Sequence, residues 1–266
     1  MTDFDIWSSS ATPQPIPADA PARPRLTFFP VDRESAPAFL VLPGGGYAKQ
    51  ADHEAEPVAR WLGSLGIVAC ALHYRVHPDL HPLPLRDARR AVRWVRHHAV
   101  RCRIDPARVG VIGFSAGGHL AACTATGLAA GVDEPSDVID GESATPALAA
   151  LCYPVISFVD AVHERSMANL LGPDPDTATR RALSPELHAN ASSPPSFVWH
   201  TAEDASVGVA NSLLYARALA DHKVPVELHV FPRGRHGLGL ALDDPSVGRW
   251  KGLFESWLRS HGWVGA

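Results

Sequence analysis

Val109-Gly110-Val111-Ile112-Gly113-Phe114-Ser115-Ala116-Gly117-Gly118-His119-Leu120 decides the reading of this 266-residue chain. An apolar, β-branched run reads as a short buried strand. A sharp turn follows at Ser115, and small residues through Ala121, Ala122 and Cys123 read as a helix. The turn has the form Gly-x-Ser-x-Gly. Small residues two before and two after the serine let the chain bend without Cβ clashes. Such a bend holds a serine in a strained conformation with its hydroxyl exposed above a sheet, next to the free N–H groups that open a helix. The pattern therefore predicts a nucleophile at Ser115.

Working outward, strands and helices alternate. Strands are expected at Leu26 to Phe29, Ala38 to Leu42, Ile67 to Leu72, Arg108 to Gly113, Leu148 to Tyr153, Ser196 to His200 and Val226 to Phe231. Helices are expected over residues 55–65, Leu85 to His98, 207–221 and Pro245 to Ser260. Near-continuous apolar strands of this kind are buried on both faces. The expectation is an α/β fold with a mainly parallel central sheet and helices on both faces. Residues 1–25 carry five prolines and read as an extended N-terminal segment, with Trp7 pinning it to the body. Residues 26–266 read as a single domain. A mixed stretch around 158–195 reads as a cap-like insertion over the strand ends, with Met167 to Leu171 helical.

Composition narrows the classes. Hydrophobic content of 46% and charged content of 20% fit a globular chain. The net charge of −4 has no basic block behind it. Arg86, Arg89, Arg90, Arg93, Arg96, Arg101 and Arg103 cluster, but with Ala91, Val92, Trp94 and Val95 interleaved. That is a solvated helix face, not a nucleic-acid surface. No apolar run approaches membrane-spanning length, and no signal-peptide pattern opens the chain. The four cysteines lack metal-type spacing and read as reduced core thiols, so a cytoplasmic enzyme is expected. His73, His77 and His81 could be imagined as metal ligands, but the intervening prolines break the helix that would align them. Neither a metal nor a cofactor is expected. No pattern specifies a homo-oligomer, although one is compatible with the sequence.

A serine hydroxyl needs a base, and the base an orienting carboxylate. In a strand–turn–helix site of this type they follow the serine as acid, then histidine. Of the downstream histidines only His236 lies in a glycine-flanked loop after a late strand, which makes it the candidate base. The acid is Asp204 or its neighbour Glu203, on the preceding strand–helix loop, with Asp204 nearer the following turn. Upstream, Pro43-Gly44-Gly45-Gly46-Tyr47 follows a buried strand. Three glycines there cost stability and supply unhindered N–H groups for a charge developing on a carbonyl oxygen. With the N–H of Ala116, Gly45 and Gly46 are the candidate oxyanion hole. Glu54 and Arg75 are expected to pair and brace this loop.

These pieces together resemble the α/β-hydrolase esterases. More narrowly, the chain is similar to bacterial short-chain carbohydrate esterases of the acetyl-xylan-esterase-like or BD-FAE-like type. The resemblance rests on Pro43 to Tyr47, His53-Glu54, Tyr74-Arg75, Gly113 to Gly118, Tyr153-Pro154-Val155-Ile156-Ser157, His200 to Asp204 and Gly234 to Gly237. It implies Ser115, Asp204 and His236 as a catalytic triad, Gly45, Gly46 and Ala116 around the oxyanion, and a short-chain ester of a small molecule or oligosaccharide as substrate. Acetylated xylo-oligosaccharides are the first expectation. A general carboxylesterase, an amidase or peptidase, and a catalytically silent binding protein on the same fold are the alternatives. One departure stands out. Where such esterases carry Pro-Val-Val-Pro after the acid, this chain has Ala205-Ser206-Val207-Gly208, which predicts a looser loop.

Overall fold

The computed structural model describes residues 1–7, 24–128 and 137–265. An eight-stranded sheet runs through them. Its strands are β1 (Thr2–Asp5), β2 (Arg25–Phe29), β3 (Ala36–Leu42), β4 (Val68–His73), β5 (Ile104–Phe114), β6 (Ala149–Cys152), β7 (Ser196–Thr201) and β8 (Val226–Phe231). The spatial order is β1-β2-β4-β3-β5-β6-β7-β8. β1 and β2 pair antiparallel at one edge, β2 joins β4 antiparallel, and every other pairing is parallel.

The helices are α1 (Glu56–Ser64), α2 (Leu83–His97), α3 (Ala116–Ala125), α4 (Glu164–Leu171), α5 (Thr177–Ala182), α6 (Ala210–Asp221) and α7 (Trp250–Ser260). Two apolar layers lie on either side of the sheet. Alternation along the strands sorts them: Ala38, Leu40 and Leu42 of β3 join the layer containing α2, α3 and α6, while Phe39 and Val41 join the layer containing α1 and α7. β3 is buried at all seven positions, as a central parallel strand must be.

The topology fixes where chemistry can occur. The chain goes from β3 outward to β4, then returns past β3 to β5. The strand order therefore reverses between β3 and β5, and the crevice outside their carboxyl ends is the natural ligand position in an open α/β sheet. The glycine loop leaves β3 there, and Ser115 leaves β5 there.

Several details differ from the sequence reading. Thr2–Asp5 is not only extended but hydrogen-bonded into the sheet, with Asp3 reaching Arg25 (3.0 Å) and Thr27 (2.6 Å). Trp7 donates from Nε1 to Asp87 at 2.8 Å and lies under the guanidinium groups of Arg75 and Arg90. The proline-rich residues 8–23 lie outside the described residues. The arginine face of α2 is not solvated throughout. Arg90 is buried, bonded to Asp137 (2.6 Å), Asp140 (2.9 Å) and the Ile6 carbonyl (2.7 Å). Acidic residues of a later loop cover that face, which no local pattern announces. All four cysteines are unpaired; Cys70, Cys123 and Cys152 are buried.

Candidate active site

The elbow is built by steric exclusion. A Cβ on Gly113 would land on the carbonyl of Gly117, and one on Gly117 would land on the carbonyl of Leu42. Only glycine at both positions lets α3 start against β3 and β5. Ser115 between them has φ 52° and ψ −118°, a region that costs a non-glycine residue of order 1–3 kcal/mol. Hydrogen bonds hold it there. Its N–H donates to the Cys152 carbonyl, and its own carbonyl accepts from Val155 and His119.

The strain presents the hydroxyl to His236. Ser115 Oγ lies 2.7 Å from His236 Nε2, and His236 Nδ1 lies 2.6 Å from Asp204 Oδ2. The structure thus brings together all three residues singled out as triad candidates. Glu203 goes elsewhere: its side chain is 61% exposed and, among the described residues, reaches only Arg233, at 4.0 Å. The imidazole ring of His236 rests edge-on against Tyr153, 5.1 Å between centroids. Thr201 Oγ1 donates to the Gly234 carbonyl and fixes the start of the histidine loop.

Asp204 is held from three sides. Its Oδ1 accepts from the backbone N–H of Ser206 and of Val207, each at 2.9 Å. Its Oδ2 accepts from His236 and lies 3.3 Å from His200 Nε2. His200 is fully buried. Its Nε2 must carry the proton because it donates to the Val207 carbonyl (2.8 Å), while Nδ1 faces the Ser212 hydroxyl (2.8 Å). Burial pushes the Asp204 carboxyl up. The His200 and His236 N–H groups and the Val207 amide outweigh it and hold the carboxyl well below the usual range. The loop after the acid is therefore anchored despite its unusual sequence.

The glycine loop lies opposite. Gly45 and Gly46 have φ of 120° and 65°, and their N–H groups meet no acceptor among the described residues. Ala116 opens α3, whose first N–H groups have no partner within the helix. These are the candidate oxyanion donors. Gly44 differs, since its N–H donates to Glu54 Oε2 at 2.7 Å. Asn169 of α4 donates to the Gly46 carbonyl at 2.8 Å, so α4 touches the glycine loop. His163 caps the same helix. It accepts from Ser166 N–H at Nδ1, which leaves the proton on Nε2, 3.5 Å from Ser206 Oγ. Burial first, then the nearby His236, keep His163 below its usual value.

The expected Glu54–Arg75 pair is absent. Arg75 binds Asp87 with two nitrogens, at 2.6 and 2.9 Å, and Glu54 accepts from Gly44 N–H and from the Tyr153 hydroxyl. Asp87 is fully buried on α2 and already receives the Arg75 backbone N–H, so the guanidinium follows it. The sequence reading also left Tyr153 and His200 without roles. The four-residue interval from His200 to Asp204, strand end to turn, was the one available signal for the latter. His73 is engaged by Thr27 Oγ1 at 2.9 Å. Among the described residues no three His, Cys, Asp or Glu side chains are placed to hold a metal, and no helix is long and apolar enough to cross a membrane.

A parallel sheet reversing at β3, with Ser115 on the turn after β5 and His236 on the loop after β8, defines an α/β-hydrolase. Within that class the chain belongs to the BD-FAE family, whose model matches residues 28–219. It is 38% identical over 217 residues to endo-1,4-β-xylanase B of Butyrivibrio fibrisolvens, covering 80% of this chain and 34% of that protein. It is 30% identical over 222 residues to the acetylxylan esterase of Xylanibacter ruminicola, covering 81% and 44%. The chain thus spans between a third and a half of the length of these two curated relatives. Among solved structures it is similar to an acetyl ester-xyloside bifunctional hydrolase from Caldicellulosiruptor lactoaceticus. The TM-score is 0.92 at 45% identity, over 99% of this chain and 97% of the other.

Proposed function

We propose that this protein is a serine esterase that removes short acyl groups, acetyl foremost, from esterified sugars such as xylo-oligosaccharides. The observation that carries the reading is the unbroken hydrogen-bond chain Ser115–His236–Asp204 at a strained serine turn. Ser115 Oγ attacks the ester carbonyl while His236 Nε2 takes its proton. Asp204 keeps the proton of the neutral imidazole on Nδ1 and stabilises the imidazolium that forms. The charge on the carbonyl oxygen is met by the N–H groups of Gly45, Gly46 and Ala116. His236 then gives its proton to the leaving alcohol, and an acyl-enzyme remains on Ser115. Water, deprotonated by His236, attacks that acyl group; the bond to Ser115 Oγ breaks, His236 returns its proton to that oxygen, and the carboxylic acid is released. The sugar preference is supported by relatives named as an acetylxylan esterase and an acetyl ester-xyloside hydrolase. Four unpaired thiols support a reducing compartment, the cytoplasm.

The test is acetate release from acetylated xylo-oligosaccharides, run beside a simple aryl acetate, with wild type and Ser115→Ala. Activity on both substrates is expected, with kcat falling on the order of 10⁶-fold in the variant. Activity on the aryl acetate alone would remove the sugar assignment and keep the nucleophile. Activity surviving in Ser115→Ala would overturn the mechanism.

A further inference from the structure

Two loops must keep a fixed distance for this chemistry: the glycine loop after β3 and the histidine loop after β8. One buried carboxylate lies between them. Glu54 is 2% exposed and, among the described residues, has no Lys or Arg partner. Its neighbour His53 lies 3.6 Å away but donates its Nε2–H to the Gly237 carbonyl at 3.1 Å. A buried carboxylate persists only where donors satisfy its oxygens. Here Oε2 accepts from Gly44 N–H and Oε1 accepts from the Tyr153 hydroxyl, both at 2.7 Å. The Tyr153 oxygen in turn accepts from Gly239 N–H at 2.7 Å. Its single proton is therefore committed to Glu54, and the direction of every bond in the chain is fixed. Gly44 backs directly on Ser115: a Cβ there would stand 2.9 Å from the serine Cβ. Gly239 lies three residues beyond His236, whose ring packs on Tyr153.

We propose that Glu54 is a positioning residue. Through Gly44 on one oxygen, and through Tyr153 and Gly239 on the other, it locks the oxyanion donors and the base into one frame. The role rests on the ester-hydrolysis reading above and adds a residue to it. It also makes a distinctive demand. Both neighbours of Glu54 are donors, so both oxygens must accept. Glutamine at this position presents an amide NH₂ to one of those donors and cannot replace the carboxylate, although it has the same size. Tyr153→Phe keeps the ring packing and removes only the shared hydroxyl.

The experiment compares wild type, Glu54→Gln, Tyr153→Phe and the double variant on an aryl acetate, with thermal melts of each full chain. A misplacement of a few tenths of an ångström at the reacting atoms lowers kcat about 10- to 100-fold in each single variant. KM changes by less than about threefold, because no ground-state contact is lost. The double variant is no slower than the worse single variant within about threefold, because both break one chain of bonds. Tyr153→Phe decides the matter if Glu54→Gln does not fold. A folded Tyr153→Phe with kcat within about threefold of wild type would overturn the proposal, as would losses that multiply in the double variant. A wild type that hydrolyses no ester would instead remove the function reading, which separates the two failures.

Discussion

Replacing Asp204 by asparagine tests the arrangement most sharply, because the neighbours dictate how the new side chain must lie. Two backbone donors, Ser206 N–H and Val207 N–H, point at Oδ1 and need an acceptor there. The amide oxygen of Asn therefore takes that side, and the NH₂ group takes the place of Oδ2. Flipping it would set NH₂ against two N–H groups that cannot move. In the favoured orientation NH₂ faces His236 Nδ1, which becomes an acceptor, and the imidazole proton moves to Nε2. That proton points at Ser115 Oγ, 2.7 Å away, and the ring can no longer take one from it. Exchanges of this kind in a Ser-His-Asp arrangement lower kcat about 10⁴-fold, equivalent to about 5 kcal/mol of transition-state stabilisation. His200 opposes this orientation only weakly, since its N–H is already given to Val207 at 2.8 Å and lies 3.3 Å from the new amide group, against two shorter backbone bonds on the other side. The assay is kcat for an aryl acetate with Asp204→Asn and, as a control, Glu203→Gln. The exposed Glu203 exchange should stay within about twofold of wild type. An Asp204→Asn enzyme within about tenfold of wild type, or a large loss in Glu203→Gln, would refute the assignment of the acid.

Further outcomes follow from the packing. Arg75→Ala leaves the fully buried Asp87 without its charged partner, held only by Trp7 Nε1 and the backbone N–H of residue 75. Because Arg75 is itself partly exposed, the cost should be about 2–3 kcal/mol in urea unfolding, below that of a fully buried pair, with kcat nearly unchanged. A large loss of kcat would restore Arg75 to a role at the glycine loop. Gly117→Ala drives a methyl onto the Leu42 carbonyl, which is sheet backbone and cannot yield. Folding should be lost or weakened by more than about 3 kcal/mol, read as soluble yield and melting temperature. Burial pushes His119 down to about 4, against the Leu183 carbonyl that accepts from its Nε2 and favours the charged ring, with His81 adding a smaller downward push. Its folded value is below its unfolded one, so the unfolded chain binds more protons below about pH 6.5 and stability falls from there toward pH 4. His119→Gln should flatten that fall by up to about one proton in urea midpoints measured across the range. An identical pH slope in wild type and variant would refute the assignment.

The elbow, the glycine loop and the histidine loop are legible in the sequence because local backbone geometry dictates each of them. Gly113 is demanded by the Gly117 carbonyl four residues on, Gly117 by the Leu42 carbonyl at the end of β3, and Gly45 and Gly46 have positive φ. Signals of that kind survive in one sequence without partners. What stays hidden depends on distant partners. Thr2–Asp5 has no apolar alternation strong enough to announce a strand, and its register is set by Arg25 and Thr27 across the sheet. Arg75 looks like a partner for Glu54 because both flank the glycine loop, yet Asp87 is one acid within the arginine-rich α2. Nothing in the spacing says that this carboxylate turns inward. Glu54 itself is readable only once Tyr153 and Gly239, separated by 86 residues, are seen on one hydrogen-bond chain.

The loop after the acid shows why a departure in sequence need not become a departure in chemistry. Relative to Pro-Val-Val-Pro, this chain loses a proline at Ala205 and another at Gly208. The carboxylate is held by the N–H groups of Ser206 and Val207, the two positions that are not proline in either version. Backbone donors are indifferent to side-chain identity, and a third hold comes from His200, outside the loop. The exchange therefore leaves the electrostatics of Asp204 in place and alters only the stiffness of the unfolded loop, where proline acts through chain entropy. It also frees position 206 for a hydroxyl. Ser206 Oγ approaches His163 at the start of α4, so the segment that holds the acid now touches the helix whose Asn169 bonds the glycine loop.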